Sequence, residues 1–399
     1  MHKMRPIITY LFLAVILAGC SSKEKNKVPR QFRSLKNLKV YPSDVKPVQQ
    51  IQLTKEQAFG NSGKVMIGLL GDIAVDSLGR VFIADIQKRV IDVFNPDGRF
   101  LTQLGRKGKG PGEFVTLTGV QIRNKYLYAY DGRQQEVKVF TLYPLASDKT
   151  IIIAQNRGNY PALNRAFPSI NNLYVRNNHT YLAEYFKDPN AQKYKKWQNL
   201  EYKRLFFLLD RAGDISSNKL FDIDETMTEV GGIIDNVKVF FGRPMIILSS
   251  KNNIYVSNEH DYFLIKIYNH DGMYRRAFYY PHPKVPLTPK SVHNGGVTNT
   301  HFRHGFLLKY VDNMNLPQNW PIINDMKIDN QDRLWVATTV KNMKVYQWWV
   351  LNSQGKLLAR FEWPRSNEIE VVKDGKLYAV EKNPKTGVQQ IVRYQIEMK

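Results

Sequence analysis

The chain has 399 residues, enough for one large core or two ordinary ones. With 43% hydrophobic and 23% charged residues, it is not a disordered chain. The formal charge of +23 asks for anionic surroundings, and charge alone does not choose among nucleic acid, glycan and membrane.

Residues 1–19 read as an export signal. His2, Lys3 and Arg5 make a polar, cationic start, and Ile7 to Ala18 is apolar apart from Thr9 and Tyr10. A run of about twelve residues is too short to span a bilayer. It ends in LAGC, and Cys20 is the only cysteine, so no internal disulfide can form. Those four residues resemble the lipobox of bacterial lipoproteins, which implies cleavage before Cys20 and a lipid on its thiol. Ser21 follows the cysteine where an inner-membrane retention signal would carry Asp. By that resemblance the chain belongs to the outer membrane, on either of its sides. Residues 20–46 are polar and basic without apolar periodicity, and read as the lipidated cysteine with a flexible tether. An exported, anchored cation meets a membrane surface or an anionic glycan rather than nucleic acid.

From residue 47 onward one grammar repeats. Short strands are separated by turns of the form apolar, Asn or Asp, two free positions, Gly: FNPDG (94–98), LDRAG (209–213), YNHDG (268–272) and LNSQG (351–355). Asn or Asp starts such a turn through its side chain, and Gly closes it with a positive φ. A second marker is an aromatic in the second strand: Phe82, Tyr128, Tyr181, Tyr255, Trp335 and Tyr378. Six units of four strands predict an all-β, six-bladed β-propeller over residues 47–399. The last unit has only three strands, which would leave an exposed edge. Val48 to Leu53 is a spare strand, expected to supply the outer strand of the last blade and close the ring.

Residues 71–114 resemble an NHL-type repeat throughout. Lipobox, tether and six such units together resemble the six-bladed β-propeller lipoproteins of the Bacteroides type. That family is defined by its fold, so the resemblance implies no catalytic residues.

If the strands of a blade are called a to d from axis to rim, the a–b and c–d turns share one face and the b–c and d–a connections the other. The tight turns are all of the first kind. The long connections, 187–203, 224–242 and 281–320, are all of the second. Long loops on a rigid scaffold are the expected place for binding. On that face the starts of the inner strands offer Asp72, Ser169, Arg243, Asn324, Asp325 and Glu368 around the axis. Arg106, Lys107, Lys109, Lys195, Trp197 and His260 form a candidate basic and aromatic rim. Gly105 to Phe114 has the glycines of a phosphate loop, but Pro111 and Gly112 stand where Lys and Ser/Thr must follow, so it reads as a connector between blades. His301 and His304 have an H-x2-H spacing without the further ligands zinc needs.

The expectation is a monomeric, lipid-anchored binding or scaffold module for a glycan or an outer-membrane protein, with no cofactor and no nucleic-acid partner. The alternative is a propeller hydrolase or lyase, lactonase- or amidating-lyase-like, with Ca²⁺ held by the acids of the funnel. No nucleophile elbow, zincin motif or Cys–His pair supports a specific chemistry.

Overall fold

The computed structural model describes residues 28–60, 65–160, 163, 166–187, 199–230, 237–239, 243–296, 311–313, 316–383 and 387–399. Lys195, Trp197, His301 and His304 lie outside these residues, and Ser169 is described by its backbone alone.

The structure is a six-bladed β-propeller. Six antiparallel sheets each carry four blade strands, and the blades follow one another in chain order. Strand b is buried on both faces, as in Val81–Asp85 (VFIAD) and Leu334–Thr339 (LWVATT). It is clamped between neighbouring blades, which is why its sequence is a continuous apolar run. Outer strands are open on one side, and Phe100–Leu104 duly alternates.

Aromatic clusters fill the clefts between blades. Phe82, Phe114 and Phe140 join blades one and two, and Tyr128 and Tyr181 join two and three. Phe206 and Ile246 join three and four; Phe263 and Trp349 join four and five. Trp335 and Ile396 join five and six, and Tyr378 packs with Phe94 between six and one.

The outer edge of blade six is covered from the other end of the chain. Ile51–Phe59 pairs antiparallel with the last strand, Gln389–Met398, with Ile51 opposite Met398 and Phe59 opposite Ile391. It begins at Ile51 rather than Val48, because Val48 and Gln49 donate their amides to the Leu358 carbonyl of blade five instead.

The later part of the expected tether, from residue 28 onward, packs on the ring. Leu38–Val40 pairs in parallel with the outer strand of blade four, Leu38 opposite Ala277. Phe32 is buried edge-on against Tyr262, and Tyr41 stacks on Tyr280 with centroids 4.5 Å apart. Residues 28–59 therefore form a strap across the rims of blades four, five and six. Apolar residues among the basic ones (Val28, Phe32, Leu35, Leu38, Val40) make it adhere.

Candidate functional site

The axis of the propeller is charged, and the sign changes along it. On the long-loop side, Asp72, Asp325, Glu368 and Glu370 come from the first halves of three inner strands or just before them: Leu70–Val75, Ile323–Ile328 and Ile369–Lys373. Alternation turns Lys327 to the same side as Asp325, and its ammonium lies 3.2 Å from that carboxylate. Asp325 and Lys327 sit deep in the channel, yet each keeps about a fifth of its side chain open to it.

Burial raises the Asp325 carboxyl above its ordinary value, and the desolvating walls of the channel raise that of Asp72, whose side chain stays exposed to the channel. Burial, with Glu368, Asp72 and Asp325 adding repulsion, pushes Glu370 up to about 8 despite the pull of Lys327. Burial works against the charge on Lys327 too, but Asp325, Glu370 and Glu368 outweigh it and hold the ammonium above its usual value. Among the described residues, Lys327 thus faces an arc of four acids from blades five, six and one. A bound divalent cation would have to displace that ammonium. Among the described residues, no three His, Cys, Asp or Glu side chains converge as a metal site. The acids of this channel do not fit a resident Ca²⁺.

The other proposed funnel residues are engaged elsewhere. Asn324 donates to the Pro321 carbonyl at 3.1 Å and to the Thr339 hydroxyl, tying the start of its strand to the neighbouring one. The electrostatic neighbours of Arg243 are Arg204, Glu225 and Glu184. These make a buried ion triad in blade three, where Arg204 grips Glu225 through two nitrogens at 2.6 and 2.7 Å and Glu184 at 2.7 Å. Acids at the ends of the b strands satisfy loop amides: Asp85 accepts from Gly68 and Lys88, Asp131 from Val115 and Gln134.

In the described part of the basic rim, Arg106 and His260 are engaged through their side chains, while Lys107 and Lys109 are exposed and are held through their main chains. Arg106 pairs with Glu113 at 2.6 Å, and Glu113 also accepts the Gly110 amide at 2.9 Å. The glycine-rich loop cradles an anion, but it is the loop's own glutamate. Lys107 joins the short parallel pair Arg106–Lys107 with Glu113–Phe114, and Lys109 gives its carbonyl to Gln134. His260 contacts the Asn319 carbonyl through Nε2 at 2.7 Å and pins the long connection before blade five. His282 in that connection packs against Phe263 and Trp349.

The largest described opening is on the opposite face. A cup of about 380 Å³ sits where the inner strands end, lined by Arg123, Lys373, Gln121, Asn124, Asn177 and Asn330 above a floor of Val75, Ile122 and Val371. Its rim is a collar of a–b turns. Every blade has positive φ in this turn, at Gly79, Asn124, His179, Asn252 and Asp332, and at both Asp374 and Gly375 in blade six. Asn and Asp tolerate this conformation, and their short side chains then reach the next blade. Asn124 donates to the Asn177 carbonyl, Asn252 accepts the Asn177 amide, Asp332 accepts from Ser250, and Asn330 binds Asp374. Lys373 carries the series on to blade one with a 2.7 Å bond to the Val75 carbonyl.

A smaller opening of about 150 Å³ lies on the same face between blades two and three, walled by Tyr126, Tyr128, His179 and Tyr181. The Tyr128 hydroxyl meets His179 Nδ1 at 2.5 Å, while the buried Tyr181 hydroxyl has no hydrogen-bond partner among the described residues.

Sequence reasoning missed Lys327, Glu370, Arg123 and Lys373. Only strand starts were read as axial positions, whereas alternation carries the lining through to the strand ends.

Residues 62–161 match the DUF5128 family, a 6-bladed beta-propeller. No curated protein matches the chain by sequence. Among solved structures, a member of the duf4221 family from Bacteroides vulgatus is 10% identical, covering 88% of this chain and 99% of that one with a TM-score of 0.52. A Bacteroides fragilis protein provisionally described as exported is 14% identical over 91% of this chain and 100% of its own, with a TM-score of 0.48. Regucalcin, a calcium-binding protein from Agrobacterium tumefaciens, is 10% identical over 90% of this chain and 96% of its own, at 0.40. The first of these likenesses speaks to the fold alone, and the other two carry no argument. Among the described residues, no helix is long and apolar enough to cross a membrane.

Proposed function

We propose that this chain is a lipid-anchored, extracytoplasmic binding module for a glycan or protein partner, and not a hydrolase or lyase. One observation carries the reading: the channel acids that an enzyme would use are gathered around Lys327, already neutralised in part by the protein itself. A metal-dependent lactonase or lyase needs those oxygens free for an ion and a substrate. A binder needs only a rigid frame with exposed specificity groups, which six packed blades supply.

The test is binding without turnover. The chain from residue 21 onward is titrated with defined acidic and neutral oligosaccharides, and each ligand is recovered and weighed by mass spectrometry. Saturable binding with unchanged ligand mass is expected. Turnover that disappears in Asp325→Asn or Glu368→Gln would overturn the reading in favour of the enzyme.

Anchoring is tested separately. Cys20→Ala should move the protein from the detergent fraction to the aqueous one, and unchanged partitioning would remove the lipid from the proposal.

A further inference from the structure

We infer that the axial cup on the tight-turn face binds an acidic sugar, with Arg123 and Lys373 receiving its carboxylate. This rests on the binding-module reading and names the ligand class and the face; it sets the site opposite the long loops.

Arg123 and Lys373 are the last residues of the inner strands Leu117–Arg123 and Ile369–Lys373, so both side chains stand at the axis on one level. Each is half-buried, and neither forms an ion pair among the described residues. Their remaining hydrogen bonds go to carbonyls: Arg123 Nε to Val175 at 3.0 Å and Lys373 Nζ to Val75. Burial disfavours both charges, and Arg123 further disfavours that on Lys373. Two cations that repel across a cup gain most from an anion placed between them.

The acids nearby do not fill that role. Asp332 accepts the Ser250 amide and hydroxyl at 2.7 and 2.6 Å, and Asp374 accepts from Asn330. Asp76 and Asp329 are buried, each holding its own arginine, Arg80 or Arg333, at 2.6 Å. All four are committed to the collar's turns. They partly offset the cations at a distance without pairing with them.

Size and lining select a sugar over a bare inorganic anion. The cup holds about 380 Å³, several times what a phosphate or sulfate needs, and mixes amide groups with an apolar floor. A pyranose ring has that same pairing of polar edge and apolar face. Arg123 offers a planar guanidinium already oriented by its Nε bond, a geometry suited to a carboxylate. The collar fixes the rim from one blade to the next, so little ordering accompanies binding.

The experiment is calorimetric titration of the chain from residue 21 onward with an oligogalacturonate, its methyl ester, and inorganic sulfate. The free acid should bind, the methyl ester should bind at least about tenfold more weakly, and sulfate should compete only weakly. Arg123→Gln with Lys373→Met should lose about tenfold or more for the free acid while keeping a cooperative melt. Equal binding of acid and ester by the unaltered protein overturns the inference without needing a variant. Sulfate binding as tightly as the sugar would reduce the site to an inorganic oxyanion site and overturn the sugar assignment. Full affinity in the folded double variant would move the site elsewhere and leave the binding-module reading intact; turnover of the oligosaccharide would instead strike that reading.

Discussion

At Gly355 the backbone φ is 84°, and a Cβ there would stand 2.7 Å from Cδ1 of Phe278 on the preceding blade. The turn therefore serves as both a tight corner and a contact between blades. Gly355→Ala should cost about 2–4 kcal/mol, from left-handed strain and overpacking together, read as a lower urea midpoint with unchanged slope. A loss below about 0.5 kcal/mol would mean the contact yields freely. In blade three, Arg204→Met leaves Glu184 and Glu225 buried without their cation and should cost about 3–5 kcal/mol. Glu370 gives a pH signature. Its folded pKa of about 8 lies above the ordinary value of 4.5, so the folded state holds the extra proton between those values. Stability should then fall as pH rises through that window, and Glu370→Gln should flatten the fall. Identical pH profiles for both proteins would show that Glu370 titrates normally. The Gly-closed turns were legible because Asn or Asp followed by Gly at fixed spacing is a turn signal in any context. The collar was not, because its positive-φ positions are shared among Gly, Asn, His and Asp with no common letter to follow.

Among elements, the strap is the part that sequence pattern placed least well. Charge dominates residues 20–46, and scattered apolar positions with one strand of three residues are too little to outweigh it in a window average. The spare strand before blade one was easier to find, since an incomplete last blade demands a partner, although the expected Val48–Leu53 becomes Ile51–Phe59. Its pairing leads to an expectation about cooperativity. Deleting residues 51–59 exposes the edge of Gln389–Met398 and uncovers the cleft holding Phe59 and Tyr378. The deletion should broaden unfolding and lower the midpoint sharply. Phe32→Ala, by contrast, should cost about 3 kcal/mol locally and leave one transition. A sharp melt after the deletion would show that the ring closes without that strand.

At the scale of the whole molecule, the axis separates two kinds of charge. Carboxylates crowd the long-loop end around Lys327, and at the tight-turn end stand Arg123 and Lys373, which form no ion pair among the described residues. The fold and its six repeats could be read from turn chemistry and strand aromatics. The polarity of the channel could not, because it depends on which residues of six separate strands share one level. Of the residues the sequence places at the funnel mouth, the acids Asp72, Asp325 and Glu368 line the channel, while Asn324 and Arg243 answer to neighbours in their own surroundings. The account stands on Lys327 serving those acids in place of a metal. Its most direct test is to purify the chain from residue 21 onward, measure bound metal by mass spectrometry, and follow the melt as Ca²⁺ is added. The account predicts no stoichiometric ion and an unmoved melting temperature. A retained ion that stabilises the protein and is lost in Asp325→Asn would contradict it.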